Sequence, residues 1–267
     1  IGAMIFRGLT RIGPDFKAEP DLAGSWTSDL TQKRWTFLLV PGLVDHAGGR
    51  ILTDDVLNCL EEYRAGKPRS LVGANFTRWV STHRKSASSI EVVLDEADPY
   101  FPKNASLLRF FRSGQGRRAC AEPQPGAEVV GSGPLRPAQW VNEPKDHLVL
   151  HPVEPDKTKG VELLFVRDEL TRLLHLLRGL VDGGVSTFSL SKTAWLVRTQ
   201  KDRFTVLEKD GVNVQYLAFN LLHPILAHRE VRQAISLAID RTAFSNLKNY
   251  GYLKPTGSFL APFLSEA

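Results

Sequence analysis

One stretch near the end of the chain constrains the fold more than any other. It is VQYLAFNLLHPILAHREVRQAISLAIDR, from Val214 to Arg241. Its first part, Val214–Asn220, is apolar at nearly every position, which predicts a strand buried on both faces. After the His223-Pro224 break, apolar residues recur at three- and four-residue spacing, which predicts a helix over Val231–Arg241 with one apolar face. Spacing alone indicates an ordinary strand–loop–helix unit.

Composition and charge exclude several classes of protein. The chain has 267 residues, of which 42% are hydrophobic and 24% charged, the balance of a folded globular protein with one large or two modest domains. No apolar run reaches the roughly 18 residues that a membrane span needs. The 34 basic and 29 acidic residues leave a net charge of +5, but the cations form no long block. This spread argues against a nucleic-acid-binding surface.

Local patterns predict elements in the first half of the chain. Alternating apolar residues predict strands at Trp35–Leu39 and Ile90–Leu94. The segment Glu19–Ala23 is expected to form a loop that enters a short helical turn. A helix is predicted to begin at Thr53 and to stop at the Gly66-Lys67-Pro68 signal, and another is predicted over Ala105–Phe111.

Two strands and one helix are predicted in the second half. The strands are His147–Val153 and Val161–Val166. Asp168 is expected to cap the helix, and Gly179 is expected to end it. The inward face of this helix is predicted to consist of Leu170, Leu173, Leu174 and Leu177.

Residue types with catalytic or ligating chemistry form no convincing site. His147 and His151 lie on one strand face, but no nearby cluster supplies the third and fourth ligands of a zinc site. Ser132 is flanked directly by glycines, which fits a backbone turn rather than a nucleophile elbow. Cys59 and Cys120 fit either one disulfide or two buried thiols, and the sequence leaves both open. We therefore expect no enzyme activity, no cofactor and no metal.

The order of several motifs resembles one protein family, the family 5 extracellular solute-binding proteins, the oligopeptide-, dipeptide- and nickel-binding class that serves ABC importers. Departures from the family pattern are Asp45 for Phe, Ala47 for Asp, Ser132 for Thr and Leu135 for Tyr. The motifs that carry the resemblance are Gly8-Leu9, Pro20-Asp21-Leu22-Ala23-Gly24-Ser25-Trp26, Trp35-Thr36-Phe37-Leu38-Leu39, Pro41-Gly42 with His46 and Gly48, Gly131-Ser132-Gly133-Pro134, Asp168 with Thr171-Arg172, and the VRQAISLAIDR helix.

The resemblance implies an α/β, periplasmic-binding-protein-like fold of type II, cluster C, with discontinuous domains. Residues 1–40 and 126–217 would form domain I, with residues 41–125 inserted between them as domain II. Residues 218–267 would begin a third domain, truncated in this chain, and Asn220 would be a hinge. A chain truncated in this C-terminal lobe is expected to bind peptide weakly or not at all.

The resemblance also implies a function without chemistry. The chain would capture a peptide or similar small solute in a hinged cleft and deliver it to the permease subunits of an ABC importer. It would be periplasmic or extracytoplasmic, with its signal peptide removed or with a lipid anchor. Arginine suits bidentate capture of a carboxylate, so the predicted ligand-binding residues are Arg117 and Arg118, with the aromatic Trp79 and Trp140. For Arg117 and Arg118, the alternative is that they are solvated charges on a flexible basic loop, and for Trp79 and Trp140 core packing is an equal alternative.

Two other classes of function stay open. The same fold could serve as the solute-sensing domain of a cytoplasmic transcription regulator, which an upstream DNA-binding motif would favour. The other class is a basic enzyme or nucleic-acid-binding protein, which salt-sensitive retention on DNA would support. The apolar face of the Val231–Arg241 helix is also a candidate surface for self-association.

Overall fold

The computed structural model describes residues 1–66, 73–114, 118–120, 128–138, 147–156, 159–185, 188–209, 211 and 213–258. The helices are α1 (Gly2–Ile5), α2 (Thr53–Gly66), α3 (Phe101–Asn104), α4 (Glu169–Leu177), α5 (Leu190–Thr199), α6 (Pro224–Ala227), α7 (Arg229–Ala238) and α8 (Arg241–Asn249). The strands are β1 (Thr10–Ile12), β2 (Ala18–Pro20), β3 (Ala23–Ser28), β4 (Arg34–Leu39), β5 (Trp79–Arg84), β6 (Ser89–Leu94), β7 (Arg112–Ser113), β8 (Arg118–Ala119), β9 (Val129–Val130), β10 (Leu135–Pro137), β11 (His147–Pro152) and β12 (Val161–Leu164). The chain divides into two compact units, Ile1–Phe165 and Val166–Ala267.

The main core of the first unit lies under a four-stranded antiparallel sheet of order β3-β4-β6-β5. Alternate residues of β4 and β6 are buried, as the period of a strand requires. Helix α2 contributes buried residues to the same core. These observations confirm the strands predicted at Trp35–Leu39 and Ile90–Leu94 and the helix that begins at Thr53. The buried hydrophobic residues of these three elements are Trp35, Phe37, Leu39, Val56, Cys59, Leu60, Ile90, Val92 and Leu94.

A second, smaller core forms where the N-terminal segment meets the antiparallel sheet β10-β11-β12. Ile5 of α1, Leu135 of β10 and Leu150 of β11 are buried together there. Strands β11 and β12 confirm the strands that were predicted to begin at His147 and Val161. The short strands β8, β7 and β9 form a separate sheet in that order.

The second unit begins with two packed helices. The Asp168 carboxylate accepts a hydrogen bond from the Thr171 amide at 2.7 Å, and Gly179 has a φ of 69°, so both ends of α4 are as predicted. Leu173 and Leu176 of α4 are buried with Leu196 of α5. The prediction that Leu170 and Leu174 point inward is wrong. They are 55% and 40% exposed, because α5 covers a narrower face than the leucine spacing suggests.

The predictions for residues 214–241 are only partly confirmed. Helix α7 confirms the predicted helix but ends at Ala238, because the Asp240 carboxylate accepts a hydrogen bond from Ala243 N at 2.9 Å and begins α8 instead. The buried strand predicted at Val214–Asn220 is wrong. Tyr216 and Leu217 are 68% and 61% exposed, and no strand of the described residues pairs with this segment.

Two local predictions in the first unit are also wrong. The segment predicted as a helical turn near Glu19 forms β2 and the start of β3, because β1 pairs with β2 through Arg11 and Glu19. The segment Ala105–Phe111 is helical only in a 3₁₀ turn at Ala105–Leu107. Beyond that turn the chain is no longer helical, and Leu108 and Phe110 are buried.

The division into residues 1–40 with 126–217, 41–125 and 218–267 stays a prediction. A boundary after residue 40 would separate β4 from β6, which are hydrogen-bonded neighbours in one sheet. This pairing joins segments that are distant in sequence, which local patterns do not reveal. The division observed by contact falls at Phe165, and the assignment of residues 41–125 and 126–217 to different domains stays a prediction. None of the described helices has both the length and the apolar character that a membrane crossing requires.

Candidate functional site

The turn Gly131-Ser132-Gly133 joins three distant parts of the first unit, and we call this region the Ser132 junction. The Ser132 hydroxyl accepts a hydrogen bond from Arg7 N at 3.0 Å and donates one to Phe110 O at 2.8 Å. The amides of Ser132 and Gly133 both donate to Ile5 O, at 3.0 and 2.7 Å. The hydroxyl of the buried Ser132 therefore joins the backbone at Arg7 to the backbone at Phe110 by hydrogen bonds. This agrees with the backbone-turn role predicted for a serine between two glycines.

The two glycines of this turn are required by close backbone approach. A Cβ atom on Gly131 would stand 2.5 Å from Ile5 O and 2.6 Å from His46 Cε1. A Cβ atom on Gly133 would stand 2.6 Å from the carbonyl carbon of Ile5. Real Cβ contacts are longer than this, so only glycine fits both positions.

His46 fastens the loop before α2 to the same turn. Its backbone N–H donates to Gly131 O at 2.9 Å, and its ring Nε2 lies 3.0 Å from Gly133 O, as a donor in the Nε2–H tautomer. Burial of the ring lowers the pKa of His46 below its ordinary value. The hydrogen bond to Gly133 and the charge of Asp45 oppose this shift, whereas Arg136 and Arg7 add to it.

This shift predicts that the junction weakens in mild acid. Because the folded state holds His46 at a lower pKa than the unfolded chain, the unfolded chain binds more protons below pH ~6.5. The stability that the neutral ring contributes is complete above that pH and is lost as the pH falls toward the lowered pKa. We expect the midpoint temperature of thermal unfolding to decrease when the pH is lowered from 7.5 to 5.5. His46→Gln keeps a donor for Gly133 O and should show a smaller fall, and equal falls in both proteins would contradict the assignment.

The loop that carries His46 is held by a buried ion pair. The Asp45 side chain is 0% exposed and accepts hydrogen bonds from Ala47 N and Gly49 N at 2.9 and 2.8 Å. Its other oxygen lies 3.1 Å from Arg112 Nη1, an ion pair without an aligned hydrogen bond. Arg112 also binds Asp55 of α2 at 2.7 Å. Asp45, which departs from the family pattern, is thus matched by an arginine that the sequence analysis did not single out.

The predicted ligand-binding residues lie in different surroundings. Trp79 is 2% exposed, its indole Nε1 donates to Thr82 Oγ1 at 3.0 Å, and its ring packs edge-on against Phe76 and Phe101. This placement supports the core-packing alternative for Trp79. Arg118 lies in β8, and Arg117 and Trp140 lie outside the described residues.

A disulfide holds the strand that carries Arg118. Cys59 of α2 is bonded to Cys120, with 4.7 Å between their Cα atoms. Cys120 follows β8 directly and has a φ of 50°, a left-handed conformation that is uncommon outside glycine. Its N–H donates to Phe111 O at 2.9 Å. The structure therefore selects the disulfide from the two alternatives for the cysteines and ties β8 to α2.

Asn220, the predicted hinge, ends the exposed segment that precedes α6. Its side-chain oxygen accepts a hydrogen bond from Leu222 N at 3.0 Å, and its carbonyl accepts one from His223 N at 3.1 Å. This is an Asx turn, which redirects the chain locally. No residue of α7 is fully buried within the described residues, although Val231 and Ile235 are partly covered. No cluster of three or more potential metal ligands occurs among the residues that the structure describes.

Comparison with known proteins gives a consistent result. The sequence profile described as "Bacterial extracellular solute-binding proteins, family 5 Middle" matches residues 17–267. A curated relative, the dipeptide-binding protein DppE of Bacillus subtilis (strain 168), is 22% identical over 302 aligned residues, which cover 98% of this chain and 51% of DppE.

Solved structures show the same fold. NikA from Brucella suis, in complex with Fe(III)-EDTA, has a TM-score of 0.79 at 19% identity over 98% of this chain and 54% of NikA. The oligopeptide-binding protein AppA from Bacillus subtilis, in complex with a nonapeptide, has a TM-score of 0.68 at 16% identity over 98% of this chain and 53% of AppA. The fold is thus periplasmic-binding-protein-like, and the chain spans about half the length of these relatives.

Proposed function

The chain belongs to the family 5 bacterial extracellular solute-binding proteins, and from this premise we propose that it is part of the substrate-binding component of an ABC importer. In this role it captures a peptide or similar small solute, carries out no reaction on it, and delivers it to the permease subunits in the membrane. The observation that carries the proposal is the match over residues 17–267 to that family. The naming of DppE as dipeptide-binding and the nonapeptide bound to AppA support peptide as the solute.

The disulfide supports an extracytoplasmic location. Disulfides such as Cys59–Cys120 persist in oxidising compartments and are rare in the cytosol. This favours the importer over the alternative of a solute-sensing domain in a cytoplasmic transcription regulator. A lipid anchor in the full-length protein would be compatible with the same location.

Arg117, Arg118 and Trp140 are proposed to contact the solute, and Asn220 is proposed as the hinge. The support is chemical. A guanidinium group binds a carboxylate through two parallel hydrogen bonds, and the disulfide at Cys120 limits the movement of the strand that carries Arg118. A hinge at Asn220 fits its position in an Asx turn between the exposed segment and α6.

The test is ligand identification followed by substitution. Mass spectrometry of the full-length protein, purified under native conditions, should detect a co-purifying peptide, and calorimetry should then measure its affinity. Arg118→Ala is expected to weaken binding by roughly 10- to 100-fold, the effect of losing a charge-assisted hydrogen bond. Arg11→Ala is the matched control, because Arg11 is an exposed arginine paired with Glu19. Unchanged affinity in Arg118→Ala would remove Arg118 from the site.

A further inference from the structure

The four-stranded sheet of the first unit has two edge strands, β5 and β3, and their surroundings differ. Basic residues border β5, with Arg78 before the strand and with His83 and Arg84 at its end. Arg84 Nη2 lies 2.6 Å from Asp54 Oδ1 of α2, which ties the helix to this strand. Charged side chains and a covering helix are devices that keep an edge strand from pairing with another chain. The β5 edge is therefore protected.

Strand β3 forms the opposite edge and has neither device. Its sequence, Ala-Gly-Ser-Trp-Thr-Ser, contains no charged residue and no proline. Residues 24–28 are exposed except for Trp26, which is half-buried. Within the part of the chain that the structure describes, β4 is the only strand that pairs with β3. A bulge interrupts β3 only between Ala23 and Ser25, so the rest of the strand presents a regular, neutral edge to which a further strand can add.

The register of the sheet shows which backbone groups of β3 are free. Asp29 N donates to Arg34 O at 3.0 Å, which makes these two residues a hydrogen-bonded pair of the ladder between β3 and β4. Because such pairs alternate along an antiparallel ladder, Thr27 is the next residue of β3 that bonds to β4. The N–H and C=O groups of Trp26 and Ser28 therefore point away from β4. No hydrogen bond joins them to another residue that the structure describes.

We propose that β3 pairs with β3 of a second copy of this chain, antiparallel across a two-fold axis at Thr27. In this register Trp26 lies opposite Ser28 of the second copy, so the outward N–H and C=O groups of both residues are satisfied in both copies. Thr27 lies opposite Thr27 of the second copy, and cross-strand threonine pairs stabilise antiparallel sheets. A strand without charges can pair with itself, because no like charges are placed opposite each other. The contact is isologous, as in most protein dimers.

This pairing also covers the most exposed large hydrophobic residue that the structure describes. Leu30, at the tip of the hairpin between β3 and β4, has a relative exposure of 105%. The tip is held in place because the Asp29 carboxylate accepts hydrogen bonds from Thr31 Oγ1 at 2.7 Å and from Lys33 N at 3.0 Å. The two-fold register directs Leu30 toward Gly24 of the second copy, which has no side chain to obstruct it. The two sheets then form one continuous sheet, with the protected strand β5 at both ends.

Sedimentation velocity of the full-length protein, at concentrations from about 1 to 100 μM, tests the pairing. The wild-type protein is expected to form dimers as its concentration rises. Thr27→Lys replaces the threonine pair at the axis by two like charges, so the dissociation constant of the dimer should rise at least roughly tenfold. Ser81→Lys makes the same change in charge on the protected strand β5 and should leave the dissociation constant unchanged.

A cysteine test of the register gives independent evidence. In the proposed register the two Thr27 residues form a non-hydrogen-bonded pair with Cα atoms about 4.5 Å apart, a distance that a disulfide can span. Mild oxidation of the Thr27→Cys protein should therefore link two copies. Ser25→Cys is the matched control on the same face of the strand. Ser25 lies opposite Asp29 of the second copy, so the Ser25→Cys protein should remain unlinked.

A full-length protein that stays monomeric over this concentration range would overturn the proposal. So would a dissociation constant that Thr27→Lys leaves unchanged, or equal cross-linking of the Thr27→Cys and Ser25→Cys proteins. The pairing uses neither the solute nor the permease. The proposed function is therefore decided separately, by the calorimetry of peptide binding.

Discussion

Gly133→Ala is expected to lower the free energy of unfolding of the first unit by about 3 kcal/mol, the upper part of the range for overpacking a buried position. The added methyl group would stand 2.6 Å from the Ile5 carbonyl carbon and 2.8 Å from Ile5 O. These are backbone atoms, so no side-chain rotation relieves the clash. Any shift of Ile5 would also stretch the hydrogen bonds that the amides of Ser132 and Gly133 donate to it.

Urea denaturation of the purified variant measures this effect through the midpoint and slope. Gly66→Ala is the control, because no atom lies within 4 Å of a Cβ atom at Gly66. This change should alter the free energy of unfolding by less than about 1 kcal/mol. Ser132→Ala should fall between the two, since it leaves Arg7 N and Phe110 O without their hydroxyl partner at a cost of about 1–3 kcal/mol. If Gly133→Ala unfolds at the same urea concentration as wild type, the close approach of Ile5 is wrong.

Removal of the disulfide is expected to have the largest effect on stability. Cys59 and Cys120 are separated by 61 residues, and the chain-entropy treatment of a loop of this length gives a stabilisation of about 4 kcal/mol. The Cys59→Ser, Cys120→Ser double variant should therefore unfold at a markedly lower urea concentration. Without the bond, Cys120 also loses one of the constraints that hold its left-handed conformation.

The control for the disulfide is the redox state of the wild-type protein. A reducing agent should shift the wild-type midpoint toward that of the double variant and leave the double variant unchanged. Equal midpoints for oxidised wild type and double variant would show that the bond contributes nothing. Strand β8, which carries Arg118, directly precedes Cys120. The solute affinity of the double variant therefore also tests whether the disulfide positions Arg118.

The elements that the sequence predicted well are those with a long, uninterrupted pattern. Strand β6 alternates buried and less buried residues over Ile90–Leu94, and α2 has acidic residues at its start and stops at Gly66. The helix predicted over Ala105–Phe111 failed because its apolar residues also fit a spacing of two. Leu108 and Phe110 are buried while Leu107 is exposed. Only the backbone hydrogen bonds of this segment with Arg7 and Leu9 decide between the two patterns.

The candidate sites depended more heavily on tertiary structure. The Gly131-Ser132-Gly133 motif was visible in the sequence as a backbone turn, but its partners Ile5 and Phe110 were not. Asp45 was visible only as a departure from the family pattern, and its pairing with Arg112 has no local signal. The same holds for the free edge of β3, because only its register with β4 shows which backbone groups point outward.

By itself the sequence determined the family, the α/β class and the places of the strongest strands and helices, because these follow from motif order and from periodicities within one segment. Tertiary structure alone decided that the cysteines are bonded, that Trp79 is core, that β4 pairs with β6, and that most of Val214–Asn220 is exposed. Each of these depends on which distant segment covers or bonds a residue. That choice is made by the packing of the whole unit, and no local pattern contains it.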